Sequence, residues 1–427
     1  RDPKPEEVLG PVQQAQRPVG FEERLAAAAG AFVVRRDAVR TVIAGYPWFL
    51  DWGRDTLICA RGLLAVGMRE AVIDLLQAFG RFEEHGTLPN AIHGEDASNR
   101  DTSDAPLWYG ILCEEVAAGD SAMLHALRVD AGGRTIADVL RSIAVGYVRG
   151  TPNGIRMDPA SALVWSPSHF TWMDTNHPPG TPREGYPVEI QALWIRLLRH
   201  LDRIGLPPAA EPWDQLARRA QASLSKHFWI EEQGWPADLL EAGPRQSAAS
   251  ANPQRAFRPN CLFPIAFELI TDEQARCTVE AARKHLLVPG ALRSLAPLPV
   301  GPPLAIHGPG GRALNDPEHP YWGRYAGDED TQRKPAYHNG TAWVWMLPVF
   351  CEAMVRAWDC APEAAAAARA YLGGLETLLG HGCLGHLPEI LDGDAPHTQR
   401  GCDAQAWSVT EAVRVWRWLD ALASSPG

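Results

Sequence analysis

The sequence predicts an all-α protein, an (α/α)6 barrel in which six helical hairpins close into a double ring with long functional loops at one end. Twelve stretches place apolar residues at helical spacing, and convincing strand patterns are few. The connections alternate between long and short, which puts the long ones at one end of an up-and-down array. Even-numbered helices are richer in alanine and tryptophan, which suits an inner ring. An open α-solenoid would need a detectable repeat, and none is visible.

Local signals support individual helices. The second begins after Pro47 and Gly53, neither of which suits a helix interior. The ninth opens with Thr271 as N-cap and Gln274 at the third helical position, the pattern of a capping box. In order, the predicted helices cover Phe21–Arg36, Asp55–Val66, Arg69–Glu84, Asp104–Ala118, Thr135–Val148, Val188–Leu201, Trp213–Phe228, Asn260–Leu269, Thr271–Leu287, Gly340–Trp358, Ala361–Leu379 and Gln405–Leu422.

The domain organisation is predicted to be simple. Residues 1–20 are rich in proline and glutamine and predict a linker or N-terminal arm. Residues 21–427 are expected to form one catalytic domain, since 46% hydrophobic content supplies a large core. The chain begins at Arg1 without an apolar leader, so we expect an internal start and no signal peptide. No apolar run of about 18 residues predicts a membrane helix.

Charge and cysteine usage narrow the partners and the compartment. A net charge of −11 without a basic cluster argues against nucleic acid and anionic membranes as partners. The eight cysteines form no C-x-x-C pair, and several lie in apolar helical stretches, which predicts reduced thiols in a cytoplasmic protein. No metal-binding motif, Walker loop or dinucleotide fingerprint occurs, so no metal and no cofactor are expected.

One stretch, Tyr46–Thr56, concentrates aromatic, acidic and basic side chains before an apolar helix. Arg54 and Asp55 fall near the predicted helix start, with Trp48 and Trp52 alongside. An aromatic wall beside a paired Arg and Asp suits a small polyhydroxylated ligand, because rings stack on sugar C–H faces while hydroxyls need fixed partners. The alternative is a helix cap with an ordinary ion pair.

Eleven short motifs follow one another along the predicted loops and helix starts. They are Gly45–Thr56, Leu88–Asn90, Thr171–Asp174, Thr181–Arg183, Pro187–Ile190, Arg258–Asn260, Leu292–Leu295, Tyr337–Thr341, Pro388–Ile390, Asp392–Gly393 and Gln405–Ser408. With these motifs the sequence resembles the amylo-α-1,6-glucosidase region of glycogen debranching enzymes, an inverting glycoside hydrolase family with an (α/α)6 barrel. The resemblance covers roughly residues 40–410. It departs from the family in lacking the upstream modules and in the Pro/Gly-rich stretch 296–320.

The resemblance implies two catalytic carboxyls. Inverting hydrolysis needs a protonated acid and an ionised base about 6.5–9.5 Å apart. The family assigns the acid to Asp174, where the preceding Trp172 and Met173 disfavour ionisation; an N-cap is the alternative. It assigns the base to Glu389, expected to be solvated in a fixed loop between Pro388 and Gly393. The alternatives there are a solvated loop carboxylate without a catalytic role, or Asp392 or Asp394 as the base.

In a ring of six hairpins, the loops that carry Asp174 and Glu389 are the third and the sixth. They would face each other across the mouth of the barrel. Facing walls leave room for a sugar and a water between the carboxyls, so the separation typical of an inverting pair is expected.

Further residues are candidates for substrate binding. Arg54 and Asp55 are expected to contact only the substrate and to grip the terminal glucose. Glu189 either pairs with Arg183 or holds a sugar hydroxyl. Asp104 and Trp108 line the same pocket or serve as a helix cap and a core tryptophan. The other candidates are Trp48, Trp52, Trp172, Tyr337, His338 and Trp407.

Two further points also stay open at this stage. His338 is either a donor to a sugar hydroxyl or a structural histidine. Trp343 and Trp345 are two residues apart on a predicted helix, so at most one of them is expected to face the site.

The expected function is that of an exo-acting, inverting α-glucosidase that releases glucose from the α-1,6 branch stubs of glycogen-type limit dextrins. The expected partners are an α-glucan or oligosaccharide substrate and an upstream N-terminal domain outside this chain. One alternative is an α-glucosidase of the same fold for another α-glucan or a disaccharide. Another is a non-catalytic glucan-binding fragment that lacks its N-terminal partner. A terpene cyclase is disfavoured, since no Asp-Asp-x-x-Asp motif occurs.

Overall fold

The structure is a computed structural model that describes residues 20–36, 39–94, 96–175 and 180–424. The expected linker over residues 1–20 therefore lies outside the described residues, apart from Gly20. The helices are α1 (Phe21–Gly30), α2 (Gly53–Ala65), α3 (Arg69–Arg81), α4 (Ala105–Val116), α5 (Ala122–Ala126), α6 (Ile136–Arg149), α7 (Val188–Arg203), α8 (Trp213–Phe228), α9 (Phe263–Ala266), α10 (Asp272–His285), α11 (Lys334–Tyr337), α12 (Met346–Ala357), α13 (Pro362–Gly373), α14 (Leu375–Leu379) and α15 (Ala406–Ser424).

Short strands connect the helices. They are β1 (Val33–Arg36), β2 (Val39–Val42), β3 (Gly45–Tyr46), β4 (Asp51–Trp52), β5 (Ala91–Ile92), β6 (Arg156–Met157), β7 (Val164–Trp165), β8 (Gly185–Pro187), β9 (Trp229–Ile230), β10 (Trp235–Pro236), β11 (Leu239–Glu241), β12 (Asn252–Gln254), β13 (Leu287–Val288), β14 (Ala291–Arg293), β15 (Ala342–Trp343), β16 (Ile390–Leu391), β17 (Gln399–Arg400) and β18 (Ala404–Gln405). The largest sheet runs β13-β14-β15-β16-β17, with every pair antiparallel. A helix-rich fold is confirmed. Most of these strands were not predicted, because two residues are too few to show an alternation of apolar and polar side chains.

The helices form two groups with different burial. In α2, α4, α7, α12 and α15 buried residues occupy most positions, and the short α9 is buried throughout. These six contact one another in sequence: α2 with α4, α4 with α7, α7 with α9, α9 with α12, α12 with α15, and α15 with α2. The helices α1, α3, α6, α8, α10 and α13 bury at most seven residues each, and each of them contacts at least one member of the first group.

Two predicted helices are shorter than expected. The first ends at Gly30, and Val33–Arg36 pairs antiparallel with Val39–Val42. The tenth begins at Met346 rather than Gly340, and Ala342–Trp343 is the middle strand of the largest sheet. Pro348 stands in the first turn of α12, where its missing N–H costs no helical bond.

Two further expectations are wrong in detail. Thr271 is the N-cap of α10, but its hydroxyl donates to Asp272 at 2.7 Å and makes no capping bond. The eighth predicted helix, Asn260–Leu269, is a 3₁₀ turn at Pro259–Leu262 followed by the single turn α9. Prolines at the start of each turn interrupt the regular bonding that the apolar pattern suggested.

A buried network of charges joins four of the six buried helices. Arg61 of α2 bonds Glu115 of α4 at 2.9 Å and Glu411 of α15 at 3.3 Å. Arg414 of α15 continues the network to Glu411 and to Glu352 of α12, at 2.8 and 2.6 Å. A fifth buried helix, α7, joins through its Arg196, which also reaches Glu115, at 3.1 Å. We call the whole arrangement the five-helix charge network.

The electrostatics of the five-helix charge network favour its ionised form. Burial alone would raise the pKa of Glu115, but the guanidinium groups of Arg61 and Arg196 lower it to about 2. Each charge is therefore stabilised by its neighbours rather than by water.

We predict that Arg61→Met destabilises the protein by up to about 3–5 kcal/mol, because Glu115 and the fully buried Glu411 would each lose one of their two guanidinium partners. Denaturant unfolding measures the change. The control is Arg203→Met, since Arg203 is exposed and pairs with Glu114 at the surface; its cost should be below about 1 kcal/mol. Equal costs for the two variants would mean that the network contributes no more than a surface pair.

Candidate active site

A cleft opens where the buried helices α2 and α15 begin. The strand pair β3–β18 joins the segments that precede these two helices. Side chains from five separate segments converge there. The lining residues are Phe49, Trp52, Arg54, Asp55, Trp172, Asp174, Tyr337, Trp343, Glu389, Gln405 and Trp407. The cleft encloses about 470 Å³, including the part open to solvent.

Asp174 presents its carboxyl to this cleft from the loop before β8. Its side chain is 31% exposed, while the preceding Trp172 and Met173 are buried. Burial of the carboxyl by the surrounding protein raises the pKa of Asp174 to about 6, against the opposing effect of Arg54. The N-cap of the next described helix is Pro187, so the interpretation of Asp174 as that cap is wrong.

Glu389 lies at another wall of the cleft and is held on several sides. Its side chain is only 3% exposed, which corrects the expectation of a solvated carboxylate. Its Oε1 accepts a close hydrogen bond from the Tyr337 hydroxyl, and its Oε2 accepts the backbone N–H of Cys402 at 2.8 Å. Burial raises the pKa of Glu389 to about 7, although both hydrogen bonds act in the opposite direction.

Gly401 makes this placement of Glu389 possible. Its φ of +68° is in the left-handed region, and an added Cβ would lie 2.2 Å from the Oε2 of Glu389. The strand β16 pairs with β17, which brings the chain back past the carboxylate just before Gly401. A residue without a side chain is therefore required beside the glutamate.

Asp55 is the third carboxyl of the cleft. It stands in the first turn of α2, next to Arg54, and it is nearly buried. Burial raises the pKa of Asp55 to about 7, and the negative charges of Asp174 and Glu389 act in the same direction, while Arg54 opposes them. Three carboxyls thus share one small space with one guanidinium, so protons are retained near neutral pH and the groups titrate together.

Arg54 was expected to contact only the substrate, and this expectation is wrong, because two carboxylates of the protein bind it. Its Nε donates to Asp104 at 2.6 Å and its Nη1 to Asp174 at 3.3 Å. Asp104 is buried outside the cleft and accepts a second bond from Thr102 at 2.8 Å; it makes no helix-capping bond. The Nη2 of Arg54 is buried and has no partner among the described residues.

Arg183 and Glu189 form an ion pair outside the cleft. The two side chains make two parallel bonds, at 2.5 and 2.8 Å, and Arg183 also binds Asp238 at 2.8 Å and Thr171 at 2.9 Å. Of the two alternatives for Glu189, the structure shows the pair with Arg183. The network fixes Thr171, at the start of the segment that carries Asp174.

The same network fixes Trp172. Asn260 donates to Asp238 at 2.8 Å and accepts from the indole N–H of Trp172 at 2.7 Å. The chain from Arg183 to Trp172 therefore runs through side chains that are all buried. It positions one wall of the cleft without touching its interior.

The aromatic candidates separate into three groups. Trp52, Trp172, Tyr337 and Trp407 line the cleft, and Trp343 does so while Trp345 stacks behind Trp407 at 4.9 Å. Trp48 is 56% exposed and does not line the cleft. Its ring contacts Phe49, and Phe49 in turn contacts Trp52. Trp108 packs against Phe263, Phe267 and Arg61 in the core, which is its structural alternative.

His338 is also buried outside the cleft. Its ring stacks on Trp343 with centroids 5.2 Å apart and meets Trp172 edge to face. Burial lowers the pKa of His338 well below its ordinary value, so the ring is neutral. Its Nε2 is buried without a partner among the described residues, so a contact between His338 and a sugar hydroxyl stays a prediction.

Two lining residues were not among the candidates. Phe49 lies in the Tyr46–Thr56 stretch, and Gln405 in the motif at the start of α15. The motifs were visible, but a sequence does not show which face of a loop turns inward. The Oε1 of Gln405 and the indole Nε1 of Trp407 are buried without a partner among the described residues, so the cleft offers unused acceptors and donors.

Other groups in the described ranges carry no sign of a second chemistry. No group of three or more His, Cys, Asp and Glu side chains there is placed to hold a metal ion. All eight cysteines lie in the described residues and are free thiols. No helix in these ranges combines the length and the apolar character needed to cross a membrane.

Comparison with known protein families gives a match over most of the chain. The family model described as amylo-alpha-1,6-glucosidase matches residues 27–300 and 305–414. Among curated proteins, a periplasmic trehalase of Escherichia coli O8 (strain IAI1) is 28% identical over 141 residues, 32% of this chain and 24% of that protein. A periplasmic trehalase of Salmonella agona (strain SL483) is 31% identical over 140 residues, 31% of this chain and 23% of that protein. The matched stretch spans about a quarter of these relatives.

Solved structures share the fold over nearly the whole chain. A glycosidase variant in complex with glucose has a TM-score of 0.60 at 15% identity, covering 95% of this chain and 97% of that one. A GH63 mannosylglycerate hydrolase from Thermus thermophilus, in complex with Tris, has a TM-score of 0.58 at 15% identity, covering 93% and 100%. At this identity the likeness concerns the fold alone.

We predict that Gly401→Ala lowers turnover roughly 100-fold or more, because the new methyl group displaces the Glu389 carboxylate. Hydrolysis of a cleavable glycoside measures the effect. The matched control is Gly385→Ala, which has the same backbone requirement at φ +84° but no atom within 4 Å of the added Cβ. Similar losses in both variants would point to backbone strain rather than to the contact with Glu389.

We also predict a pH-dependent gain in stability for Glu389→Gln. The folded protein raises the pKa of Glu389 to about 7. Proton binding by Glu389 therefore adds to the free energy of unfolding below about pH 4, and this contribution is lost as the pH rises through about 7. Glutamine removes the cost of the buried charge, so the variant should match the parent at pH 4 and exceed it by up to about 3 kcal/mol at pH 8. Denaturant unfolding at the two pH values tests this, with Glu363→Gln on an exposed position of α13 as control. A pH-independent difference would contradict it.

Proposed function

We propose, from the premise that the chain belongs to the amylo-alpha-1,6-glucosidase family, that it is an inverting, exo-acting glycoside hydrolase that releases glucose from α-1,6 branch stubs of glycogen-type limit dextrins. The broader class, a glycoside hydrolase, follows from the family. The observation that carries the proposal is the pair Asp174 and Glu389, two carboxyls of raised pKa on separate loops that line one aromatic cleft.

Each carboxyl has one role in this mechanism. Asp174 gives its proton to the glycosidic oxygen as the bond to the anomeric carbon breaks. Glu389 takes a proton from a water molecule whose oxygen attacks that carbon from the opposite face. The water must fit between them, which requires a separation of roughly 6.5–9.5 Å.

The buried floor favours a chain end over a chain interior. Arg54, Asp55 and Glu389 are nearly buried, so a sugar that reaches them has protein behind it. The Nη2 of Arg54 donates to a hydroxyl of the terminal glucose, and Asp55 accepts from another. Rings of Trp52 and Trp407 cover the C–H faces of the sugar.

The two carboxyls hold close to one proton between them near neutral pH. Catalysis needs that proton on Asp174 and none on Glu389, whereas burial raises the pKa of Asp174 to about 6 and that of Glu389 to about 7, so the proton has to move to Asp174 when substrate binds. Because the charges interact, the active state is one ionisation state of the coupled carboxyls, and its population is largest near neutral pH.

The helix contacts support a closed double ring around this site. The contacts from α2 through α4, α7, α9 and α12 to α15 return to α2. We infer that these six form the inner ring of an (α/α)6 barrel, with α1, α3, α6, α8, α10 and α13 outside. The catalytic loops then lie at one mouth of the barrel.

A second candidate function has a specific observation in its favour. The curated relatives with the partial match are trehalases. The alternative is therefore hydrolysis of an α-linked disaccharide by the same two carboxyls. The catalytic geometry is common to both functions, and only the group beyond the scissile bond differs.

We predict that the protein releases β-glucose first from a defined oligosaccharide with one α-1,6-linked glucose stub. NMR in the first minutes follows the anomer, and linear maltooligosaccharides and trehalose are assayed in parallel. Initial α-glucose would overturn the inverting mechanism, and a preference for trehalose would favour the second candidate. Asp174→Asn should lower turnover about 10²–10⁴-fold; release of glucose by the parent from none of these substrates would mean a non-catalytic fragment.

A further inference from the structure

A second cavity adjoins the cleft on the side of Asp174. It shares Trp52 and Asp174 with the cleft and encloses about 770 Å³, including the part open to solvent. Glu389 does not line it. We call this cavity the Asn90 pocket; its other lining residues are Asn90, Asn99, Asp101, Ser168, His169, Phe170 and Thr175.

The position of the Asn90 pocket follows the direction of the reaction. A general acid must touch the glycosidic oxygen, and the leaving group is bonded to that same oxygen. The leaving group therefore occupies space that Asp174 borders and that lies away from Glu389, where the water attacks. The Asn90 pocket meets both conditions, since Asp174 borders it and Glu389 does not.

Asn90 is prepared for a ligand. It is 6% exposed, and its Oδ1 is buried without a partner among the described residues. Its backbone is fixed, since its N–H donates to Asn99 at 2.8 Å and its carbonyl accepts the Gly53 N–H at 2.9 Å. The adjoining strands β4 and β5 pair Trp52 with Ala91, which sets Asn90 next to Trp52. A buried amide left unpaired costs stability, so its retention points to a partner that arrives with the substrate.

The charge of the pocket narrows the ligand. Its described lining contains the carboxyls of Asp101 and Asp174 but no lysine or arginine. Burial lowers the pKa of His169, so its ring is neutral. An anionic leaving group would meet the Asp101 carboxylate and no lysine or arginine of this lining, since Asp174 carries its proton as the acid. A neutral sugar finds amides and hydroxyls for its hydroxyl groups and the Phe170 ring for its C–H face.

We propose that the Asn90 pocket binds the leaving group of the substrate, that Asn90 hydrogen-bonds a hydroxyl of it, and that the pocket selects neutral sugar leaving groups against anionic ones. This rests on the proposed function, because it takes Asp174 as the acid. Asn90 is then a specificity-determining residue that acts on the part of the substrate beyond the scissile bond.

Two substrates separate the pocket from the cleft. Isomaltose has a glucose leaving group, whereas α-glucosyl fluoride presents only fluoride and leaves the pocket empty. Asn90→Ala should lower kcat/KM for isomaltose about tenfold and change it less than about twofold for the fluoride. Ser168→Ala, at a half-buried position of the same lining, should act in the same direction if Asn90→Ala folds poorly. Asn252→Ala, at an exposed position of β12, is the control.

A second pair of substrates tests the charge. α-Glucosylglycerol and α-glucosylglycerate differ only in the leaving group, where a carboxylate in the second compound replaces a hydroxymethyl group in the first. The parent should prefer the neutral compound at least about tenfold in kcat/KM, and Asp101→Lys should reduce that preference about tenfold. The preference is a ratio of two kcat/KM values, so an effect of the lysine on the carboxyls that is common to both substrates cancels.

The outcomes separate two failures. Equal losses on isomaltose and the fluoride for Asn90→Ala, or equal cleavage of both glycerol-type substrates by the parent, would overturn the assignment of the pocket and leave the proposed function standing. Absence of cleavage of the fluoride by the parent would overturn the proposed function, and this inference with it.

Discussion

The site depends on keeping several carboxyls buried beside a single guanidinium. Arg54 pairs with Asp104 and Asp174 at once, which leaves Asp55 and Glu389 without a full counter-charge of their own. Burial then makes ionisation costly and raises the pKa of both Asp55 and Glu389 to about 7. A folded chain reaches such a state only if the surrounding structure supplies enough stability elsewhere, so the site has to be held in place against its own repulsion.

Other parts of the molecule supply that constraint. The pairs of Arg183 with Glu189 and Asp238 fix the segment that carries Asp174, while the Cys402 N–H and the Tyr337 hydroxyl fix Glu389. These groups are buried and satisfied, so a displaced carboxyl would leave another polar group unpaired. The proposed catalytic pair therefore owes its geometry to buried ion pairs behind the segment of Asp174 and to two hydrogen bonds at Glu389, one of them from the cleft residue Tyr337.

Features that depend on residues close together in the sequence could be predicted. Helical periodicity identified the buried and peripheral helices, and short motifs identified the family and the segments that form the cleft; the family resemblance is confirmed by the match over most of the chain. Pairings across long separations were not predictable, among them Arg54 with Asp104 and Arg183 with Asp238. Strands of two residues carry no alternation, and the burial of Glu389 depends on Gly401 twelve positions later. The catalytic roles stay predictions, since no comparison tests individual residues.

The five-helix charge network limits the directions from which a ligand can enter and leave the cleft. Arg61 lies seven residues after Arg54 on the same helix, so it is about 10 Å further along the helix axis. The intervening space is filled by buried side chains such as Ile58 and Cys59. The described residues thus close the cleft on the side of Arg61. Under the proposed function, glucose lies deepest and the leaving group nearer the mouth, so the leaving group departs first and accumulated glucose competes directly with the next substrate.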